Sequence, residues 1–221
     1  MSHLKRYKSP KNWPINRKGT TFVIRSSFSY NEGLPLTVIL RDILTIAKTK
    51  REVKKAVHEK NILINNRLAR SEKEAYLLFD VLTIVPSKKH YRIEKSLNGK
   101  FNIIEISEKD ANQKVSKITG KKILKGRKTQ LNLFDGRNFL SEMKCSVGDS
   151  VVVEFGSEKK DSKIKKCLTL KEKAKVFVFG GKHAGANGVI LKIDAESKIA
   201  ELKVGENKTN VLIKQLMVIE E

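Results

Sequence analysis

Forty-six lysines and arginines against 24 aspartates and glutamates leave this 221-residue chain with a formal charge of +22. That far exceeds what solubility requires, and the self-repulsion works against one large compact core. It is tolerated when the partner is a phosphate backbone, whose condensed counterions are released as Lys and Arg replace them. The cations are unevenly spread, so the chain reads as several small modules. Residues 1–31 carry Lys5, Arg6, Lys8, Lys11, Arg17, Lys18 and Arg25 without one acid, and Tyr7 and Trp13 lie among them. A like-charged block with interleaved aromatics reads as a nucleic-acid-binding arm that needs a polyanion before it settles. The plainer reading is a solvated tail. Pro10 and Pro14 interrupt any amphipathic transit helix there. From Lys175 onward cations and acids nearly balance, so the positive excess lies upstream.

Other classes are disfavoured. No apolar run approaches the roughly twenty residues of a spanning helix, and neither end carries a lipidation motif, so no membrane partner is expected. Cys145 and Cys167 are far apart and neither begins a Cys-x-x-Cys pair. A disulfide framework or thiolate zinc site is therefore not indicated, and a reducing cytoplasm fits. His3, His58, His90 and His183 show no metal spacing, and no cofactor or metal is expected.

Leu36, Ile39, Leu40, Ile43 and Ala47 recur at helical spacing, which predicts an amphipathic helix over Leu34 to Ala47. Thr49 and Glu52 form a capping box for a second helix. Val53, Ala56 and Val57 lie on its apolar side, opposite Lys50, Arg51, Lys54 and Lys55. Ile62-Leu63-Ile64, Asn65-Asn66 and Arg67-Leu68-Ala69-Arg70 then read as a tight hairpin, followed by a strand over Phe79 to Ile84. Two short helices and a hairpin in this order resemble the alpha-L RNA-binding motif of ribosomal proteins, heat-shock RNA-binding proteins and pseudouridine synthases. The match spans Leu36 to Ile84. That resemblance implies an RNA-facing surface of Lys48, Lys50, Arg51, Lys54, Lys55, Arg67 and Arg70. Ser71 to Ala75 departs from the pattern, replacing the usual Pro and Gly.

The middle of the chain is β-rich, with hairpin signals at Asn98-Gly99 and Asp135-Gly136, a short helix start at Ser107, and a strand over Val151 to Phe155. Lys114, Lys117, Lys121, Lys122, Lys125, Arg127 and Lys128 read as a basic stretch between strands, which either tracks RNA or keeps a β edge from pairing. Lys121, Lys122, Arg127 and Lys128 are the RNA-binding candidates there. Near the C-terminus, Val176-Phe177-Val178-Phe179 and Val189-Ile190-Leu191-Lys192-Ile193 flank Gly180-Gly181-Lys182-His183-Ala184-Gly185-Ala186-Asn187-Gly188. The nucleotide-gripping Gly-Lys-Ser/Thr and the dinucleotide Gly-x-Gly-x-x-Gly are absent. This stretch resembles the KOW motif, whose glycine-rich turn joins two strands of a small barrel. Lys182 and His183 then offer RNA contacts, unless the glycines only make the turn.

Basic arm, alpha-L motif, β domain and KOW module occur in this order in the e-type family of ribosomal small-subunit protein four, shared by archaea and eukaryotes. The chain resembles its archaeal branch at His3-Leu4-Lys5-Arg6, Trp13-Pro14-Ile15 with Arg17-Lys18, Leu40-Arg41-Asp42, Gln130-Leu131-Asn132-Leu133 with Asp135-Gly136-Arg137-Asn138, and Gly180-Gly181-Lys182-His183-Ala184-Gly185. The implied fold class is α+β and multi-module: an arm over 1–33, an alpha-L motif over 34–85, a central β-rich domain over 86–172 and a KOW-type β-barrel over 173–221. The implied role is that of a ribosomal constituent, not an enzyme, in the cytoplasm. Its partners would be small-subunit ribosomal RNA and neighbouring small-subunit proteins, with no small-molecule substrate. Lys5, Arg6, Lys8, Lys11, Trp13, Arg17 and Lys18 of the arm would touch that RNA, with Trp13 and Tyr7 stacking or wedging. A KOW-containing transcription elongation factor is the alternative. A pseudouridine synthase is less favoured, because too few residues separate the two motifs to hold its catalytic domain.

Overall fold

Backbone hydrogen bonding in this chain goes mostly into short antiparallel strands. The structure, a computed structural model, describes residues 3–28, 31–141, 143–156, 162–194 and 196–220. Two compact units divide it: residues 1–94 with 100–112, and residues 95–99 with 113–221.

In the first unit the Lys50–His58 helix begins at Thr49, whose side chain accepts from the Glu52 N–H, as the capping box predicts. The preceding helix is shorter than its apolar spacing suggests. Leu36–Val38 runs into a wide π-turn, Ile39–Ile43, and the chain then reverses at Thr45 with φ of 53°. The Ile46 and Ala47 amides both reach back to the Leu40 carbonyl, at 2.9 and 3.2 Å. β-Branched Thr45 and Ile46 are weak helix formers, and the reversal still packs Ile43, Leu44 and Ala47 against the core. A five-stranded sheet follows in the order Arg67–Leu68, Ile62–Ile64, Val81–Ile84, Lys89–Lys95, Phe101–Ile106.

The arm is folded rather than a solvated tail. Leu4–Lys5 pairs antiparallel with Phe22–Val23, the Phe101 amide donates to the Asn12 carbonyl at 2.9 Å, and Leu4, Trp13 and Val23 join the core of Leu36, Ile39, Tyr76 and Ile93. Burying that much apolar surface supplies the stabilisation that charge repulsion opposes.

The second unit holds two antiparallel five-stranded sheets. One runs Asn138–Leu140, Thr129–Leu133, Gln113–Ile123, Ser150–Glu154, Lys163–Leu168. Most of the stretch read as a basic connector is thus the central strand of this sheet. Lys114 and Lys117 are buried in it, Lys114 pairing with the buried Asp135 carboxylate at 2.6 Å. The other sheet runs Asn207–Leu212, Ile199–Val204, Asn187–Asp194, Lys175–Val178, Leu216–Glu220, around Val176, Val178, Ile190, Leu202 and Leu216. Within this unit the Ser150 hydroxyl accepts from the Val218 amide at 2.9 Å.

Candidate nucleic-acid interface

Val53 and Val57 anchor the Lys50–His58 helix, and burying that stripe turns Lys50, Arg51, Lys54 and Lys55 outward. Lys48, just before the cap, is exposed as well. The Glu52 carboxylate accepts from the Lys48 amide at 2.7 Å and the Thr49 hydroxyl at 2.9 Å, and these bonds hold it below the usual carboxylate range. Lys50 lies 3.4 Å from Glu72 and Lys55 lies 3.7 Å from Glu59. Among the described residues Arg51 and Lys54 make no ion pair. Exposed pairs of this kind are weak and yield readily to a phosphate.

The adjoining hairpin turns through Asn65 and Asn66, both left-handed with φ of 50° and 60°. Asn tolerates this better than most residues. The buried Asn65 amide donates to Asp80 at 2.8 Å while its side-chain carbonyl accepts from the Val81 amide at 2.9 Å, which locks the turn. Arg67 and Arg70 are exposed beside it. The loop over 71–75 supplies two acids: Glu72 reaches Lys50, and Glu74 takes Arg67 at 3.3 Å and the Arg70 amide at 2.6 Å. One loop therefore ties the start of the cationic helix to the cations of the hairpin.

In the arm, Lys5, Lys8, Lys11 and Lys18 are exposed. Arg6 is committed internally, donating to the Thr20 carbonyl and hydroxyl and to the Asn16 carbonyl at 2.7 to 2.9 Å. Arg17 donates to the Tyr7 carbonyl at 2.9 Å. Both arginines brace the arm's loop. The expectation that Trp13 stacks on RNA is corrected: its indole is 2% exposed within the core and has no face to offer a base. Tyr7, 63% exposed with the Lys5 ammonium 5.9 Å from its ring centre, has one.

In the second unit Lys122 and Lys128 are exposed, Lys121 donates to the Cys145 carbonyl at 3.3 Å, and the Arg127 side chain lies outside the described residues. Lys182 is exposed at the glycine-rich turn and His183 is half-buried. Two of the glycines serve close packing. A Cβ on Gly185 would lie 2.0 Å from the Ser96 carbonyl oxygen, and one on Gly188 would lie 2.8 Å from that of Lys203.

Sequence reasoning missed Lys117. Its ammonium donates to the carbonyls of Ile213 and Leu216 at 2.5 and 2.8 Å and sits 5.8 Å from the Phe179 ring centre. Burial pushes it down to about 8. Only Val115 and Ile118 signalled a strand there, because lysine and serine fill the remaining buried positions. Among the described residues no group of three or more His, Cys, Asp and Glu could hold a metal, and no helix is long and apolar enough to cross a membrane.

Two family profiles match: "Ribosomal family S4e" over residues 87–160 and "RS4NT (NUC023) domain" over residues 2–28. The small ribosomal subunit protein eS4 of Methanothermobacter thermautotrophicus is 32% identical over 224 residues, covering 98% of this chain and 91% of that one. That of Methanocella arvoryzae is 33% identical over 195 residues, with 87% and 81% covered, and that of Methanospirillum hungatei 36% over 192, with 86% and 79%. The crystal structure of the 30S ribosomal protein S4e from Thermoplasma acidophilum superposes with a TM-score of 0.72 at 23% identity, covering 86% of this chain and 96% of that one. With relatives above 30% identity along nearly its whole length, the chain belongs to the S4e family of small-subunit ribosomal proteins.

Proposed function

We propose that the chain holds small-subunit ribosomal RNA through the outward face of the Lys50–His58 helix together with Arg67 and Arg70, and that the exposed lysines of the arm extend the same contact. As an S4e protein it is a structural constituent of the small ribosomal subunit rather than an enzyme, and its place is the cytoplasmic ribosome. Its partners are ribosomal RNA and neighbouring small-subunit proteins. The observation that carries the RNA contact is the row of four cations on one helix, two of them in no ion pair among the described residues, where successive phosphates can be met without reordering the chain.

The finer partition is part of the same reading: an arm over 1–33, an alpha-L motif over 34–85, a central β domain over 86–172 and a KOW-type barrel over 173–221. Supporting the second is the succession of short helix, cationic helix and Asn-Asn hairpin; supporting the last is the glycine-rich turn between two antiparallel strands. Lys121, Lys122, Lys128 and Lys182 are proposed as further phosphate contacts.

Sedimentation of cell extract through a sucrose gradient tests the reading. The chain is expected with small subunits and translating ribosomes, and to stay there after a salt wash. A peak confined to light fractions, or to RNA polymerase, would overturn it.

A further inference from the structure

Between the two sheets of the second unit lies a cavity of about 580 Å³, within the roughly 300–1,000 Å³ that holds small organic ligands. Phe134, Phe179, Val147 and Leu212 form apolar wall, Lys117 lies at its side, and Lys198 and Lys214 stand at its exposed rim. The two half-buried phenylalanine rings lie 4.9 Å apart, tilted 49° to each other. No carboxylate lines the cavity among the described residues. The nearby Asp149 is committed to the amides of Ser146 and Leu170, at 2.7 and 2.9 Å.

A site that is apolar and aromatic within, cationic at the rim and free of acids suits a ligand with a flat, weakly polar body and an anionic tail. An unpaired nucleotide has that form: its base stacks on an aromatic side chain while its phosphate meets the lysines. An apolar protein side chain would fill the interior equally well but would leave the rim ammonium groups of Lys198 and Lys214 without an anion, Lys117 being already held by the carbonyls of Ile213 and Leu216. We propose that this cavity receives one unstacked nucleotide of the small-subunit ribosomal RNA, the base against Phe134 and Phe179 and the phosphate against Lys198 and Lys214. The proposal rests on the RNA-binding role given above and adds a base-holding pocket to the phosphate contacts of the helix.

The test uses the full chain, transcribed small-subunit ribosomal RNA and a salt series. Val147 lines the cavity yet is 61% exposed, so Val147→Trp blocks it without loading the core. Phe179→Leu removes a stacking ring independently, and thermal melting checks that both variants fold. Each is expected to weaken binding roughly tenfold, the effect of losing one base–aromatic stack; Phe179→Leu, which leaves both rim lysines reachable, keeps the wild-type salt slope, whereas Val147→Trp, which keeps the nucleotide out, flattens it by about one to two as the Lys198 and Lys214 contacts go. Ultraviolet cross-linking of the wild-type complex should yield a nucleotide adduct on the peptide carrying Phe134 or Phe179. Wild-type affinity in both variants overturns the proposal, and loss of a neighbouring protein from reconstituted subunits in that case assigns the cavity to a protein side chain. A slope flattened by more than about two in either variant also overturns it, since that reports phosphates lost elsewhere on the chain. Should the wild type itself fail to bind the RNA, the broader functional reading falls first.

Discussion

Lys117 makes the stability of the second unit depend on alkaline pH in a calculable way. Its ammonium is carried into the protein interior, and burial brings its pKa from 10.5 to about 8. Below pH 8 both folded and unfolded chains hold the proton, and the fold bears the full cost of the buried charge. As pH rises past 8 the folded chain releases its proton while the unfolded chain keeps it. The unfolded state then binds more protons, so stability increases until about pH 10.5, where the gain levels off. The limiting slope is about 1.4 kcal/mol per pH unit, and integration from pH 7 to 9.5 gives a gain of about 2 kcal/mol. The carbonyls of Ile213 and Leu216 stabilise the charged form and reduce this to between about 1 and 2 kcal/mol. Urea unfolding followed by circular dichroism, on wild type and Lys117→Met across that range, isolates the effect. Every group other than residue 117 is common to the two proteins and cancels in the difference. A wild-type-minus-variant difference that stays flat, or falls, with rising pH would refute the reasoning.

Replacing Lys50, Arg51, Lys54 and Lys55 together by Gln should weaken ribosomal RNA binding and flatten the slope of log affinity against log salt by about two to four, roughly one per lost phosphate contact; an unchanged slope removes the helix from the interface. Trp13→Ala should destabilise the first unit by about 3–5 kcal/mol, whereas Tyr7→Ala should leave unfolding unchanged and weaken RNA binding; equal stability losses would contradict the burial difference. Gly185→Ala, whose new Cβ meets the Ser96 carbonyl at φ of 91°, should destabilise the second unit by roughly 2–4 kcal/mol. Gly126→Ala, with open space around it, should cost only about 1 kcal/mol for its left-handed backbone. Matching melting temperatures for the two glycine variants would show that close approach is not what Gly185 provides.

Local chemistry was readable where it is self-contained. Thr49 with Glu52, Ser107 before Glu108–Ala111, and the turns at Asn65-Asn66, Asn98-Gly99 and Asp135-Gly136 each appear where residue type dictates them. The misses share one cause, a partner distant in sequence. An aromatic among cations looks the same whether it awaits a base or a core, and only pairing of Leu4–Lys5 with Phe22–Val23 and packing against Tyr76 and Ile93 decides for Trp13. Lys114 and Lys117 read as surface charges because nothing local announces Asp135 or the carbonyls of Ile213 and Leu216. At the candidate interface the helix cations were legible from periodicity. The pairing of Lys50 with Glu72, and of the hairpin's Arg67 with Glu74, depends on a loop geometry no short window contains.

The hydrogen bond from the Phe101 amide to the Asn12 carbonyl sets a timetable for synthesis. The arm leaves the ribosome ahead of the rest of its unit, yet its seat is complete only when position 101 has emerged. At about 5–20 residues per second that interval lasts roughly 5–20 s. Through that time the core around Trp13 is incomplete and the seven cations of the arm lack their finished seat. A newborn S4e chain is thus at its stickiest toward RNA beside the ribosome making it, which favours early shielding of the nascent arm.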